Sequence, residues 1–295
     1  MKNNMTKAIF CAILGNVIWG FSFLLIDIGL SVISEPYVLL GHRFTFSTLV
    51  MLALMVFGKK KLSFKGKNWK PVILLLLMQL CYYLFETYGI IYTNTTISGL
   101  VLAVVPVMTI LSGALFLKEY PTKRQLLFCI LPVLGVIMIT LSGKELGVVT
   151  PIGILFLLLT LLSSTTYKTA NRMAAKEFSP FERTFMVIAI SAVAFSVVGL
   201  QASSWNLAAY VAPLMHPKYL FSVLSLGLLC SIGANMMVNY ATNFMSVFKV
   251  SSFGAVSTLC TAIAGIVFLK EPISVSLALG GVLILVGIRQ ITKPK

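Results

Sequence analysis

Residues 74–122 read LLLLMQLCYYLFETYGIIYTNTTISGLVLAVVPVMTILSGALFLKEYPT, two apolar segments joined by the polar turn Tyr92-Thr93-Asn94-Thr95-Thr96. Each segment is long enough to cross a bilayer as a helix, which takes about 20 apolar residues. The first segment carries an acid, Glu86, and the second carries Pro106 in the middle of its span. A charged side chain inside a span costs about 2.5–3.5 kcal/mol on insertion scales, so we predict a functional role for Glu86. Residues 235–292 repeat this arrangement in the second half of the chain.

The composition is that of a protein embedded in a membrane. Hydrophobic residues make up 58% of the chain and charged residues 11%, and the mean hydropathy is +0.98. Soluble domains carry about 25% charged residues. Long apolar runs cross the bilayer as helices, because only internal hydrogen bonds can satisfy the backbone there. We therefore predict an all-α membrane protein with ten transmembrane helices, near 8–28, 36–57, 70–91, 96–117, 124–142, 150–169, 181–200, 218–242, 247–269 and 273–291.

The basic residues predict the orientation of these helices. If the N-terminus is cytoplasmic, 19 of the 23 Lys and Arg residues fall on the inner side and three on the outer side, while Arg43 lies within a span. Lys and Arg accumulate in cytoplasmic loops, so both termini are predicted in the cytoplasm and the protein in the cell membrane. Because the net charge of +15 sits in short loops beside apolar spans, it does not indicate a nucleic-acid partner. The first apolar run lacks a clear cleavage site and is interpreted as an uncleaved helix.

The two halves of the chain share a repeat. Residues 103–140 and 255–292 are identical at 13 of 38 aligned positions, including the tetrapeptide Phe-Leu-Lys-Glu at 116–119 and 268–271. Each half holds five predicted spans, an odd number, so the halves enter the membrane in opposite directions. We predict two inverted five-helix repeats, residues 1–145 and 146–295, with substrate bound near the midplane where they meet.

A family resemblance follows from four motifs in order. They are Ser34-Glu35-Pro36 with Arg43, Tyr92-Thr93-Asn94-Thr95-Thr96 with Pro106 and Glu119, Cys230-Ser231 with Asn239-Tyr240-Ala241, and Glu271-Pro272 with Gly280 and Gly287. Together they resemble the EamA-type transporters of the drug/metabolite transporter superfamily. The resemblance implies ten helices and transport, usually export, of small metabolites such as amino acids. The chain departs from the pattern at Thr258, where the ninth helix of the family often has a proline.

Candidate substrate-binding residues lie on the third helix. Gln79, Tyr82, Tyr83 and Glu86 follow the spacing i, i+3, i+4, i+7 and therefore share one helical face. Tyrosines alone could pack or anchor at the membrane interface, but an acid and an amide on the same face favour the lining of a cavity.

Further candidates come from the eighth and first helices. Ser231, Asn235 and Asn239 form a polar stripe, and alignment of the two halves makes Asn235 the repeat equivalent of Glu86. Hydrogen bonding between helices is the alternative role for such a stripe. Trp19 lies near the middle of the first span, where it packs or contacts a ligand.

Three charged side chains could partner one another in the outer third of the membrane. Arg43 is predicted at the same depth as Glu86, and Asp27 lies near the outer end of the first helix. The pairing of Arg43 with one of these acids is either structural or part of the site. Glu119 and Glu271 each precede a proline at a helix start and are interpreted as structural, because an acid there meets the positive end of the helix dipole.

The predicted function is secondary active transport by alternating access. No cofactor and no metal are predicted. Export of a small polar or zwitterionic metabolite such as an amino acid is the leading hypothesis, and Glu86 could also carry a coupling proton. Efflux of organic cations, with tyrosines as a cation–π surface, and a passive channel remain open. The chain has no Walker motif to use ATP directly. With two histidines and no partner motif near either, it also lacks the groups that an enzyme would need.

Overall fold

The computed structural model describes residues 2–58, 62–63, 66–93, 101–102, 104–141, 150–269 and 275–293, and within them it contains helices and no strand. The helices are α1 Lys2–Leu30, α2 Pro36–Phe57, α3 Lys70–Ile91, α4 Val105–Leu117, α5 Lys123–Phe128, α6 Ile130–Leu141, α7 Pro151–Ala174, α8 Pro180–Ala202, α9 Leu207–Val211, α10 Pro217–Ser225, α11 Asn235–Phe244, α12 Val247–Ser252, α13 Gly254–Leu269 and α14 Val275–Thr292. A 3₁₀ turn, Ala212–Met215, precedes α10, and a π-helical segment, Leu226–Ala234, joins α10 to α11.

Six helical stretches of the described chain are long and apolar enough to cross a membrane. They are Asn4–Leu30, Pro36–Phe57, Lys70–Gly89, Pro151–Ala174, Pro180–Ala202 and Pro217–Phe244. Each coincides with one of the predicted spans. Prolines begin four of them, because the ring presets a helical φ angle and the first turn does not need the missing N–H. The helix lengths and apolar composition of the described chain therefore confirm the predicted class, an all-α membrane protein.

The other predicted spans contain shorter or interrupted helices. The span 124–142 is divided between α5 and α6, and the span 247–269 is interrupted at Phe253 between α12 and α13. Pro106, predicted in the middle of the span 96–117, lies in the first turn of α4, which begins at Val105, and residues 101–102 before it are also helical. Proline lacks the backbone N–H and clashes with the preceding turn, so it starts a helix more readily than it continues one.

Long antiparallel helix pairs hold the molecule together. The most extensive contacts join α3 to α7, α2 to α8 and α6 to α14, while α1 packs against α11 and α13. Glycine allows the close approach of α6 and α14: a Cβ added to Gly135 would lie 2.5 Å from the carbonyl oxygen of Gly280. In a membrane such close packing replaces the hydrophobic effect as the force between helices.

Two carboxylates tie together the ends that the charge pattern predicts to be cytoplasmic. Glu182 at the start of α8 accepts hydrogen bonds from Lys67 Nζ and the Ser63 backbone N–H, both at 2.8 Å. Glu119 accepts from Arg172 Nε at 2.8 Å and from the backbone N–H of Val247 at 2.8 Å. These bonds connect the segments that precede α3 and α5 to the second half of the chain.

The structural interpretation of Glu119 therefore involves a different helix from the one predicted. Its carboxylate meets the N-terminus of α12, which begins at Val247, whereas the N-terminus of α5 is capped by Thr122 and Gln125. An acid at a helix N-terminus is stabilising in either case, because the unpaired N–H groups there carry partial positive charge. Glu271, its counterpart in the repeat, lies outside the described residues.

Candidate functional site

A cavity of about 490 Å³ lies between the helices of the two halves. Its lining combines apolar side chains with a set of polar and charged ones. The polar and aromatic lining residues are Asn16, Trp19, Ser22, Arg43, Gln79, Tyr82, Tyr83, Glu86, Ser164, Tyr167, Lys168, Asn235, Ser251, Ser257 and Thr258. Seven of the nine predicted site residues therefore line one cavity, and the two that do not are Asn239 and Asp27. A cavity that places polar and charged side chains between apolar spanning helices is typical of a membrane transport protein.

The third helix presents one face to this cavity, as its spacing predicts. Gln79, Tyr82, Tyr83 and Glu86 all line it. The Tyr82 hydroxyl donates a hydrogen bond to Glu86 Oε1 at 2.7 Å, one turn away on the same helix. The Tyr83 ring packs edge-on against Phe195, with centroids 5.4 Å apart, so its body stabilises α8 while the residue also lines the cavity. Glu86 thus presents a carboxylate whose described partner is a neutral hydroxyl.

Arg43 lines the same cavity but is not paired with an acid. Its side chain is buried, with 7% exposure, and Nε donates to Ser231 Oγ at 2.7 Å. In the described chain no carboxylate oxygen of Glu86 or Asp27 lies within 4.0 Å of it. Asp27 is exposed and lies outside the cavity. The predicted direct ion pair is therefore not formed, because Arg43 is held by the π-helical segment and Glu86 by Tyr82.

The π-helical segment shapes the opposite wall. Its i→i+5 spacing displaces backbone carbonyls from their usual partners, and such segments are frequent at functional sites. The carbonyl of Cys230 accepts from Trp19 Nε1 at 3.3 Å and from Asn235 Nδ2 at 3.3 Å, and Asn235 Nδ2 also donates to Ser231 O at 3.0 Å. The Asn235 amide is thereby oriented by its NH₂ group, and no described residue donates to its Oδ1.

Asn239 belongs to a smaller pocket and to a buried network. The pocket, about 60 Å³, adjoins the main cavity and shares Asn16, Trp19 and Asn235 with it. Asn239 Nδ2 donates to Thr184 Oγ1 at 2.8 Å, and its Oδ1 accepts from Asn171 Nδ2 at 2.7 Å. Both polar groups of this side chain are engaged by the protein, as in the hydrogen-bonding alternative for the polar stripe.

Arg183 is the centre of that network and was treated in the sequence only as a cytoplasmic charge. It is fully buried, and its two Nη groups donate to Asn171 O, Asn171 Oδ1, Asn239 O and Asn243 Oδ1 at 2.6–3.1 Å. All four acceptors are neutral. Two members of the network, Asn171 and Asn239, line the smaller pocket.

Lys168 is the charged residue of the cavity lining that the sequence pattern did not predict. It was counted among the cytoplasmic charges because it falls at the end of the predicted span 150–169, but α7 continues to Ala174 and carries it along the cavity. Its Nζ donates to Ser251 Oγ at 3.3 Å. Ser164, Tyr167 and Lys168 line the cavity and Asn171 the smaller pocket. Their i, i+3, i+4, i+7 spacing matches that of the α3 face and was the signal available.

The antiparallel packing of α3 and α7 sets the depths of Glu86 and Lys168. Gly89 faces Leu157, and Gly153 faces Tyr92, so contacting residues have numbers that sum to about 246. Glu86 is consequently level with residue 160. Lys168 lies eight residues further along α7, about 12 Å closer to the predicted cytoplasmic end at a rise of about 1.5 Å per residue. The acid and the lysine therefore occupy different levels of one cavity.

Comparison with known proteins agrees with this class. Residues 6–141 and 151–292 match the EamA-like transporter family, and the chain belongs to that family. It is 33% identical over 292 residues to the uncharacterized transporter YcxC of Bacillus subtilis, covering 98% of this chain and 93% of that protein. A WAT1-related protein of Arabidopsis thaliana is 24% identical over 274 residues, covering 86% and 78% of the two chains. These relatives point to a membrane transporter and not to an enzyme.

The fold is also shared with a protein of known crystal structure. The two superpose with a TM-score of 0.79 at 16% sequence identity, over 97% of this chain and 98% of the other. At that identity the likeness concerns the fold alone. The protein is thus a multi-pass membrane transporter of the EamA-like family.

Proposed function

We propose that this protein is a secondary active transporter that exports a small zwitterionic metabolite, such as an amino acid, by alternating access. The observation that carries the proposal is the presence of Glu86 and Arg43 in one cavity without an ion pair between them. A carboxylate and a guanidinium that are not paired with each other can bind the ammonium and carboxylate groups of one zwitterion. A buried charge that lacks a partner is otherwise costly, so the ligand completes the site.

The substrate-binding residues proposed are Glu86, Tyr82, Tyr83, Gln79, Asn235 and Trp19, with Arg43 as the second charged group. The Tyr82 hydroxyl bonds only to Oε1 of Glu86, so Oε2 can accept a hydrogen bond from an ammonium group. Asn235 Oδ1 can accept a second one. The tyrosine rings and Trp19 supply an apolar wall. Asn239 acts indirectly, since its amide is engaged by Thr184 and Asn171.

Ten transmembrane helices in two inverted repeats, 1–145 and 146–295, are part of the proposal. Two separate family matches, 6–141 and 151–292, support a division near this boundary. The helix contacts support it as well. When each helix is replaced by its equivalent in the other repeat, the contact of α3 with α7 becomes the contact of α11 with α1, which is also present. The contacts of α2 with α8 and of α6 with α14 are unchanged by this replacement. A two-fold axis between inverted repeats has this consequence.

Alternating access requires the inner end to open and close. In this conformation the inner end is joined by the ion pair between Arg172 and Glu119, and by hydrogen bonds from Arg172 Nη1 to the carbonyls of Thr242 and Asn243. We propose that these contacts break when the cavity opens to the cytoplasm. The cell membrane as location, with both termini cytoplasmic, follows from the excess of Lys and Arg on this side.

Substitution of Glu86 by Gln tests the proposal. The amide keeps the shape and can still accept from Tyr82, so folding is expected to be retained while the charge is lost. Saturable counterflow of amino acids into proteoliposomes is expected for the wild type and to be abolished in Glu86→Gln. If Glu86 also carries a coupling proton, the residual flux loses its pH dependence. Glu35→Gln, the same change at an exposed acid outside the cavity, is the control.

The alternatives give different results in the same assay. A passive channel shows no counterflow, and an organic-cation transporter shows counterflow of cations but not of amino acids. The two cationic groups in the cavity, Arg43 and Lys168, argue against a substrate that is only a cation. Unchanged affinity, rate and pH profile in Glu86→Gln would refute the assigned role of this residue.

A further inference from the structure

The cavity contains more positive than negative charge. Its described lining includes two cationic side chains, Arg43 and Lys168, and one acid, Glu86. The tyrosines that face these groups, Tyr82, Tyr83 and Tyr167, carry no formal charge at neutral pH. A zwitterion bound between Glu86 and Arg43 would leave the Lys168 ammonium unmatched, so the charges of the site favour a substrate with an additional negative group.

Both cations are bound only by neutral groups of the protein. Arg43 Nε donates to Ser231 Oγ at 2.7 Å, and Lys168 Nζ donates to Ser251 Oγ at 3.3 Å. Neither has an acidic side chain within 4.0 Å in the part of the chain that the structure describes. Lys67 and Arg172, at the predicted cytoplasmic end, are by contrast paired with acids, namely Glu182 and Glu119.

The position of Lys168 is determined by the helix that carries it and by its contact with a facing helix. It lies on the continuous helix α7, between Tyr167 and the buried Thr169, and it faces Ser251 of α12 across the cavity. Arg43, which lines the same cavity, is more than nine-tenths buried. Lys168 is itself partly buried. A cation withdrawn from water is retained at a cost unless a counter-charge is supplied, and intramembrane cations commonly mark substrate paths.

We propose that Lys168 binds a second acidic group of the substrate, and that the transported species is an amino acid with an acidic side chain. One ammonium and two carboxylates pair with Glu86, Arg43 and Lys168 and leave no charge unmatched. The backbone of Lys168 lies about 12 Å from the level of Glu86 along the axis of α7, an offset that both side chains shorten because each leans toward the N-terminus of its own antiparallel helix. The inference rests on the proposed function, and it adds the substrate class and a specificity-determining residue.

Isosteric pairs of ligands test this directly. Glutamate and glutamine, and aspartate and asparagine, differ by one charged group at nearly constant shape. Binding to the purified full-length protein is measured by calorimetry. The wild type is expected to prefer the acid over its amide by about tenfold to 100-fold in Kd for at least one pair, since a charge-assisted hydrogen bond in a dehydrated site is worth this much. Equal or weaker binding of both acids overturns the inference.

The assignment to Lys168 is tested by substitution. In Lys168→Gln the acid and its amide are expected to bind with about equal Kd. Lys168→Arg is expected to retain most of the preference for the acid. Lys176→Gln removes the same charge from an exposed position eight residues further on and is expected to change nothing. A preference that survives in Lys168→Gln refutes the assignment. Should that variant fail to fold, the isosteric comparison in the wild type still decides the substrate class.

A third ligand tests the contact with Glu86. Glutarate keeps both carboxylates of glutamate and lacks the ammonium group, so it is expected to bind more weakly than glutamate, and equal binding contradicts the arrangement. Failure of the proposed function gives a different result, namely no saturable, Glu86-dependent counterflow of any amino acid. Neutral amino acids that are transported as well as acidic ones would overturn this inference and leave the proposed function intact.

Discussion

Replacement of Arg183 by methionine is expected to destabilise the fold substantially. The guanidinium is fully buried and donates four hydrogen bonds to neutral acceptors. The carbonyl of Asn171 keeps its helical partner, Ala175 N, when the arginine is removed. The side-chain oxygens Asn171 Oδ1 and Asn243 Oδ1 lose the donor that Arg183 supplies to each.

The magnitude follows from those two acceptors. A buried acceptor left without a donor costs about 1–3 kcal/mol, so two cost about 2–6 kcal/mol. Removal of the buried charge recovers part of this, because its desolvation is no longer required. We expect a net loss of about 2–4 kcal/mol in the free energy of unfolding.

Unfolding of the purified protein by titration with a denaturing detergent measures this loss. Arg289→Met, the same change at an exposed arginine, is the control and is expected to stay within about 0.5 kcal/mol of the wild type. Adding Asn243→Ala to Arg183→Met removes one orphaned acceptor and should recover about 1 kcal/mol. If Arg183→Met is as stable as the wild type, or the double variant recovers nothing, the network does not act as described.

Three further predictions concern packing, closure and orientation. Glu119→Gln is expected to weaken the contact with Arg172 by about 1 kcal/mol and so to favour opening of the inner end. A cysteine in place of the buried Thr242 should then react with a thiol reagent about fivefold faster. An unchanged rate would contradict a role of this ion pair in closure. Gly135→Val places a side chain against the main chain of the facing helix and should cost about 1–3 kcal/mol, with wild-type stability as the refuting result. In a background without native cysteines, Met215→Cys should react with an impermeant reagent in intact cells and Lys176→Cys should not, and the reverse pattern would refute the orientation.

Glu86 illustrates what was predictable in the site. An acid inside an apolar run is visible in the sequence, and the spacing of its neighbours indicates which face of the helix they share. Both features are local, and the structure brings those neighbours into one cavity. Lys168 was assigned to the cytoplasmic charges because the same rule that predicts orientation treats every basic residue near a span end alike. Only the length of α7 and its packing against α3 show that this lysine faces the cavity.

The sequence by itself determined that this protein is helical, apolar and embedded in a membrane, because transfer of about 20 consecutive apolar residues into a bilayer is a property of the segment alone. The tertiary structure decided which groups meet. Arg43 bonds to Ser231, 188 positions away, and not to the acid predicted at its own depth, because a π-helical segment presents the serine to it. Glu119 meets the N-terminus of α12 and not that of α5. Partners of this kind depend on the relative rotation and register of whole helices, which no local pattern encodes.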